Sequence, residues 1–161
     1  SLAQAGFRSG KDGLAPADLL VLFGPTLRVD LGLKSRSPAS SEPDLPAKAI
    51  WALIDTGAGG DCIDDDLARS LALPITDEGE ISGVGGKHRA YVYTARLYVP
   101  SMGLLLFQPF TGVKLTEGQQ RHRVLLGRSF LRNYQLVYDG ATGQVSIDPP
   151  SDGATPKPHD P

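Results

Sequence analysis

The sequence predicts an all-β domain, and three observations carry that prediction. The 161 residues include 19 glycines and 13 prolines, which divide the chain into the short segments that an all-β protein needs. Apolar residues alternate along residues 26–33 and 91–99, which is the period of a strand with one buried face. An apolar run at residues 50–54 leads directly into Asp-Thr-Gly-Ala at residues 55–58. A single domain of this length can bury a substantial core.

The remaining apolar segments extend this pattern along the chain. Residues 34–46 are rich in Ser and Pro and predict a surface loop. A long hairpin is predicted over residues 80–99, with its tip at Gly83-Val84-Gly85-Gly86. The other predicted strands are residues 19–23, 26–33, 48–54, 104–107, 110–115, 123–126, 135–138 and 144–147.

Two helices are predicted between the strands. Ile63, Leu67 and Leu71 are spaced four residues apart and give one apolar face to a main helix over residues 64–73. Three aspartates stand at its start, where a helix N-terminus favours negative charge. Capping is therefore preferred over a metal site, because metal sites need converging ligands. A second, short helix is predicted over residues 128–134.

The sequence predicts one domain over residues 17–148. Residues 1–16 are polar and aperiodic and predict a flexible arm, and residues 149–161 are rich in Pro, Gly and Asp and predict a disordered tail. Because residue 1 is Ser rather than Met, excision from a longer or membrane-anchored protein stays open.

Composition argues against several classes of protein. The formal net charge of -2 gives no reason to expect nucleic acid or an anionic membrane as a partner. Cys62 is the single cysteine, so no intrachain disulfide forms and nothing demands an oxidising compartment. No apolar run is long enough to cross a bilayer. A domain without membrane contact is expected, with a cytoplasmic location favoured.

Three separated elements point to one kind of chemistry. They are the strand that ends in Asp55-Thr56-Gly57-Ala58, the glycine-tipped hairpin, and Val124-Leu125-Leu126-Gly127 before a short helix. In this order and spacing, residues 27–134 resemble the retropepsin-like aspartic proteases. The resemblance implies a closed, barrel-like single lobe with a flap hairpin, and endopeptidase activity without a metal or organic cofactor.

The resemblance also implies roles for individual residues. Asp55 matches the catalytic aspartate, Thr56 the residue that braces the dimer, and Gly57 and Ala58 the rest of the active-site loop. The flap that closes over the peptide corresponds to Ile81, Ser82, Gly83, Val84, Gly85, Gly86, Lys87 and His88. The element that supports the active-site loop corresponds to Leu125, Leu126, Gly127 and Arg128.

A single Asp-Thr-Gly also predicts how the protein assembles. Two carboxylates about 3 Å apart cannot both ionise, so they share one proton. The ionised carboxylate takes a proton from a water, and the protonated one donates to the scissile carbonyl. Since the chain has one such motif, the second Asp55 must come from another copy, in a two-fold homodimer acting on a peptide or protein substrate.

The chain departs from the retroviral pattern at two points. Retroviral enzymes usually have an acidic residue after Asp-Thr-Gly-Ala, which pairs with the arginine that follows the supporting glycine. Here that position is Gly59, so Arg128 needs another partner, and Asp61 is one candidate. The chain also continues beyond the short helix into an extra hairpin, which leaves the form of the dimer interface open.

Other interpretations of the sequence are weaker. The glycines of the hairpin tip fit neither a dinucleotide fingerprint nor a P-loop, and the three histidines have no zinc-ligand spacing. Ser129 lacks the second glycine of a nucleophile elbow, and Cys62 is better explained as a small buried residue than as a nucleophile. The main alternative function is a non-catalytic retropepsin-like module that dimerises or binds extended peptides.

Overall fold

A computed structural model describes residues 2–10 and 13–150, and strands are their main regular secondary structure. The three helices are α1 (Pro16–Phe23), α2 (Asp65–Ser70) and α3 (Arg128–Leu131), with a 3-10 turn at Pro100–Met102. The strands are β1 (Ala3–Gln4), β2 (Thr26–Gly32), β3 (Ala47–Ile54), β4 (Cys62–Asp64), β5 (Ile75–Gly83), β6 (Gly86–Val99), β7 (Leu104–Val113), β8 (Val124–Leu126), β9 (Gln135–Asp139) and β10 (Gln144–Asp148). The predicted all-β fold class is confirmed.

The larger sheet closes on itself as a barrel. Its strand order is β2-β3-β8-β4-β7-β6-β5, and an additional pairing joins β2 to β6. Six strands therefore form a closed ring, and β5 extends the sheet beyond this ring by pairing with β6. The ring is filled by side chains that alternate inward, including Val29, Leu97 and Phe110. The barrel-like lobe expected from the sequence is present.

The predicted hairpin is the longest feature of the barrel wall. β5 and β6 pair antiparallel down to Gly83 and Gly86, so the tip is where the glycine cluster placed it. Gly86 has a φ of 97°, which glycine adopts at little cost. The side chain of Val84 at the tip is fully exposed. The hairpin thus projects beyond the barrel.

The apolar run at residues 19–23 is helical, so the predicted strand there is wrong. Pro16 stands in the first turn of α1, and Gly24 follows its last residue with a φ of 68°. Proline at a helix start and glycine just beyond its end are helix signals, and here they outweigh the apolar run. Leu19 and Leu20 are buried, whereas Val21 is 82% exposed.

The N-terminal arm, expected to be flexible, instead contributes a strand. β1 pairs with β10, and the smaller, three-stranded sheet has the order β1-β10-β9. Ala3 and Ala5 are buried, and Phe7 packs against the core. Alternating small side chains explain why this polar-looking segment can lie flat on the domain. Of the tail predicted to be disordered, residues 151–161 lie outside the described residues.

Two predicted strands at residues 104–107 and 110–115 are one continuous strand, β7. Pro109 lies within β7, although proline cannot donate to a sheet. β7 pairs with β4 only at residues 111–113, so β6 is its one neighbour at Pro109. The missing N–H is therefore tolerated there. The three-residue strand β4 was not predicted.

The connections and shorter elements follow the prediction more closely. Residues 34–46 contain no helix or strand and are anchored by Ser35, whose Oγ accepts from the Asp44 N–H at 2.9 Å. The predicted helices are present but shorter, as α2 and α3. No helix within the described ranges has the length and apolar character needed to cross a membrane.

Asp64 links α2 to the loop that follows β7. Its Oδ2 accepts from the Leu67 N–H at 3.2 Å, which caps α2 as the sequence predicted. Its Oδ1 accepts from the N–H groups of Leu115 and Thr116 at 3.0 and 3.1 Å. The Asp64 side chain and Leu115 are both buried, so removing the carboxylate leaves the Leu115 N–H without a partner.

Replacing Asp64 by alanine is expected to lower the free energy of unfolding by about 3 kcal/mol, because a helix cap and the acceptor of the buried Leu115 N–H are lost together. Asp66→Ala is the matched control, since Asp66 lies in the first turn of α2 but is exposed. It should change stability by less than about 0.5 kcal/mol. Urea denaturation followed by circular dichroism measures both, and equal effects of the two variants would contradict this account of Asp64.

Candidate active site

Strand β3 places Asp55 through pairing on both of its sides. β3 is antiparallel to β2 and parallel to β8, with Ile54 opposite Leu126. The Asp55 N–H continues this ladder by donating to the Leu126 carbonyl at 2.9 Å. Asp55 is half-buried at the point where the strand ends. The predicted supporting residues Leu125 and Leu126 therefore lie beside the strand that carries it.

The carboxylate of Asp55 folds back onto its own loop. The Gly57 N–H donates to Asp55 Oδ1 at 2.9 Å, and the Ala58 N–H donates to the Asp55 carbonyl at 3.2 Å. The φ of Gly57 is not positive, so the backbone conformation itself does not require glycine here. A Cβ at Gly57 would instead stand 3.1 Å from Oδ1. Glycine is therefore suited to this position by the closeness of the carboxylate.

The beginning of α3 holds the same loop from below. The N–H groups of Arg128 and Ser129 donate to the carbonyls of Ala58 and Gly59 at 2.9 and 3.0 Å. The Arg128 side chain donates through Nη1 to the Thr56 carbonyl at 2.8 Å. These three bonds fix the loop at its middle and at its end.

The suggested pairing of Arg128 with Asp61 is wrong. Asp61 is 7% exposed, and its Oδ1 accepts from the Gly127 N–H at 2.8 Å. Its Oδ2 accepts from Nε2 of Gln108, so the carboxylate faces β7 and β8. Arg128 lies on the exposed side of the loop, where a backbone carbonyl is its acceptor. Asp61 and Gln108 are supporting residues that the sequence did not reveal.

Gly127 has the closest backbone contacts of the site. A Cβ at this position would stand 2.4 Å from the Gly60 carbonyl oxygen and 2.7 Å from that of Ala58. Both distances are far below van der Waals contact, so no other residue fits without moving the loop. The supporting role expected of Gly127 thus has a steric basis.

The outer face of the loop is open to solvent. Thr56 and Gly57 are exposed, and Ala58 is half-buried. Within the described residues, the Thr56 carbonyl is bonded to Arg128, but its hydroxyl has no partner. The bracing expected of this hydroxyl needs a second copy of the chain.

Among the described residues, the tip of the β5–β6 hairpin and the Asp55 loop do not line a common cleft. From Ser82 to His88 the hairpin is exposed, and only Ile81 is half-buried. A cleft of about 600 Å³ lies between this hairpin and the end of β7. Its walls include Ile81, His88, Val113 and Lys114, but not Asp55. A separate cavity of about 360 Å³ reaches the loop at Gly60 and Asp61.

Cys62 is poorly suited to be a nucleophile. Burial raises the pKa of its thiol to about 11, and the nearby charges of Asp61 and Asp55 act in the same direction. The thiol is therefore protonated at neutral pH, and the thiolate is the reactive form. This supports the interpretation of Cys62 as a structural residue.

The described residues contain no cluster of three or more His, Cys, Asp or Glu side chains that could hold a metal ion. His122 is only 4% exposed, and burial, followed by the charge of Arg121, lowers its pKa. The neutral His122 side chain therefore has a packing role beside Arg121.

Comparison with known proteins finds similarity among solved structures. No family model matches the chain, and no curated protein matches it. Among solved structures, the chain is similar to the protease of simian foamy virus (mac), which was determined in solution. The TM-score is 0.44 and the sequence identity 14%, over 66% of this chain and 91% of the viral chain. Since a likeness this weak says nothing about individual residues, the function has to be argued from the site itself.

Replacing Gly127 by alanine is expected to lower the free energy of unfolding by about 3 kcal/mol, because its Cβ would overlap two carbonyl oxygens. Gly60→Ala is the matched control in the same loop, since a Cβ there meets nothing within 4 Å. Its effect should stay below about 0.5 kcal/mol. Urea denaturation of the two variants measures the difference, and a Gly127→Ala protein as stable as Gly60→Ala would disprove the steric role.

Proposed function

We propose that this chain is a retropepsin-like aspartic endopeptidase that works as a homodimer. The observation that carries the proposal is the environment of Asp55. A strand end presents its half-buried carboxylate, and the loop around it is fixed by α3 and by Asp61. The same loop leaves its outer face exposed. This arrangement suits a second, symmetry-related Asp55 approaching from outside.

The proposed chemistry uses the two carboxylates as a pair. Asp55 Oδ1 is held by the Gly57 N–H, whereas no described residue donates a hydrogen bond to Oδ2. That oxygen is free to face a water or the other carboxylate. One carboxylate of the pair removes a proton from the water as it attacks the peptide carbonyl, and the other donates its proton to the carbonyl oxygen.

The projecting hairpin supports an extended peptide as the substrate. In the proposal, residues 81–88 close over the peptide and exclude water from the reaction. The cleft between the hairpin and β7 would then receive substrate side chains on one side of the scissile bond. No metal or organic cofactor takes part.

A second function is favoured by one observation. β5 is the end strand of its sheet and pairs only with β6, so its outer edge offers free backbone groups. Such an edge binds an extended peptide by adding a strand, whether or not cleavage follows. In that case the chain is a peptide-binding or dimerisation module.

The variant Asp55→Asn is expected to abolish cleavage of a diverse peptide library, because an amide cannot serve as the proton acceptor. Asp66→Asn is the matched control, since it makes the same chemical change at an exposed site and should leave cleavage unchanged. Mass spectrometry of the products, from acidic to neutral pH, is the measurement. Cleavage by Asp55→Asn would rule out the mechanism, and no cleavage by a folded, dimeric wild type would favour the binding module.

Assembly is tested by mixing active and inactive chains. An excess of Asp55→Asn added to a fixed amount of wild-type chain is expected to suppress cleavage, because mixed dimers contain a single Asp55. The same excess of Asp66→Asn should raise activity instead. Specific activity of the wild type should also fall on dilution as dimers dissociate. Activity per chain that is unaffected by either treatment would contradict the homodimer.

A further inference from the structure

A third pocket, which residues 55–58 do not line, lies on the outside of the barrel. It has a volume of about 530 Å³ and lies between β2 and β3 on one side and α1 with residues 4–9 on the other. We define this Trp51 pocket by three aromatic residues, Phe7, Phe23 and Trp51, and three arginines, Arg8, Arg28 and Arg121. Its volume is in the range of pockets that hold small organic molecules.

The arginines of the Trp51 pocket lie against its aromatic rings. The guanidinium carbon of Arg28 is 4.3 Å from the centre of the Trp51 ring. That of Arg121 is 4.6 Å from the same ring and 4.5 Å from the ring of Phe23. Contact with aromatic rings fixes a guanidinium in place and leaves its N–H donors available at its edge.

Within the part of the chain that the structure describes, these positive charges have no counter-ion. The residues that line the pocket include three arginines and no Asp or Glu. Throughout residues 2–10 and 13–150, no carboxylate or carbonyl accepts a hydrogen bond from Arg8, Arg28 or Arg121. Two like charges beside one ring repel each other, and an anion between them would relieve that repulsion. The chain as a whole is slightly acidic, so this local excess of positive charge is not a general property of its surface.

From this arrangement we propose that the Trp51 pocket binds a small organic anion, a carboxylate attached to a flat aromatic or apolar body. The carboxylate would accept hydrogen bonds from Arg28 and Arg121, whose forked donors match its two oxygens. The apolar body would lie against Phe7, Phe23 and Leu27. An inorganic anion alone fits less well, because it leaves these apolar walls in water.

The pocket is separate from the proposed active site. Trp51 is on β3, the strand that leads into Asp55, but residues 55–58 and 81–88 do not line the pocket. Leu53, between the two, approaches Gly24 at the end of α1. Ligand binding here does not depend on the proposed protease activity.

Binding is measured by the fluorescence of Trp51, which is the only tryptophan of the chain. The probe is 1-naphthoate, titrated into the full chain, and its uncharged analogue 1-naphthalenemethanol is the ligand control. We expect naphthoate to change the fluorescence saturably and the alcohol to bind at least roughly tenfold more weakly, the loss typical of a charge-assisted hydrogen bond. Equal binding of the two would overturn the proposal.

Variants test which side chains are responsible. Arg28→Gln and Arg121→Gln should each weaken naphthoate binding by roughly tenfold. Arg132→Gln, an exposed arginine outside the pocket, should leave it unchanged. Circular dichroism confirms that each variant is folded. Unchanged affinity in both pocket variants would disprove the site.

Two further ligands separate the possible sources of the carboxylate. If N-acetyl-phenylalanine binds as tightly as naphthoate, and the uncharged N-acetyl-phenylalanine amide does not bind, the proposal is supported and the ligand is assigned to a peptide C-terminus. If naphthoate binds and N-acetyl-phenylalanine does not, the proposal is supported and the ligand is assigned to a free aromatic acid. Inorganic phosphate that competes at the same concentration as naphthoate would overturn the requirement for an apolar body.

Discussion

The close approach of Gly127 to the loop after β3 is the contact on which the site depends. The Gly127 N–H is bonded to buried Asp61, and its Cα faces the carbonyls of Ala58 and Gly60. Because β8 and α3 meet at Gly127, this contact joins the barrel wall to the helix that holds the loop from below. A shift there would move Asp55 and the Arg128 contact together. The position of the carboxylate is thus a property of the packed barrel, although the loop itself is exposed.

Most of the barrel could be predicted because its signals are local. Alternation along residues 26–33 and the glycine tip of the hairpin each lie within one segment, and both features are present. The conformation of residues 19–23 was missed because an apolar run fits either a strand or a buried helix, and Pro16 and Gly24 decide it. β1 was missed because two alanines give little apolar signal, and only pairing with β10 makes them core residues.

The sequence alone could predict Asp55, but it could not predict the contacts that support the Asp55 loop. Asp55 follows an apolar strand and is part of a recognisable tripeptide, so sequence alone singled it out. Asp61 and Gln108 are 47 residues apart, and nothing in either segment indicates that they bond to each other. The partner of Arg128 was missed for a related reason, since a backbone carbonyl leaves no trace in the sequence. Contacts between distant segments depend on the register of β4, β7 and β8.

The pairing of β1 with β10 brings the two ends of the described domain together. The Leu2 N–H donates to the Ile147 carbonyl at 2.8 Å, so the ends need only a short linker to be joined. The loop over residues 34–46 is exposed around Ala39 and Ser40, away from every strand pairing. A circularly permuted chain, closed near residues 2 and 148 and opened between Ala39 and Ser40, would therefore keep both sheets. In such a chain, β2 and β3 would be separated in sequence, yet the barrel and the Asp55 loop would be built from the same contacts.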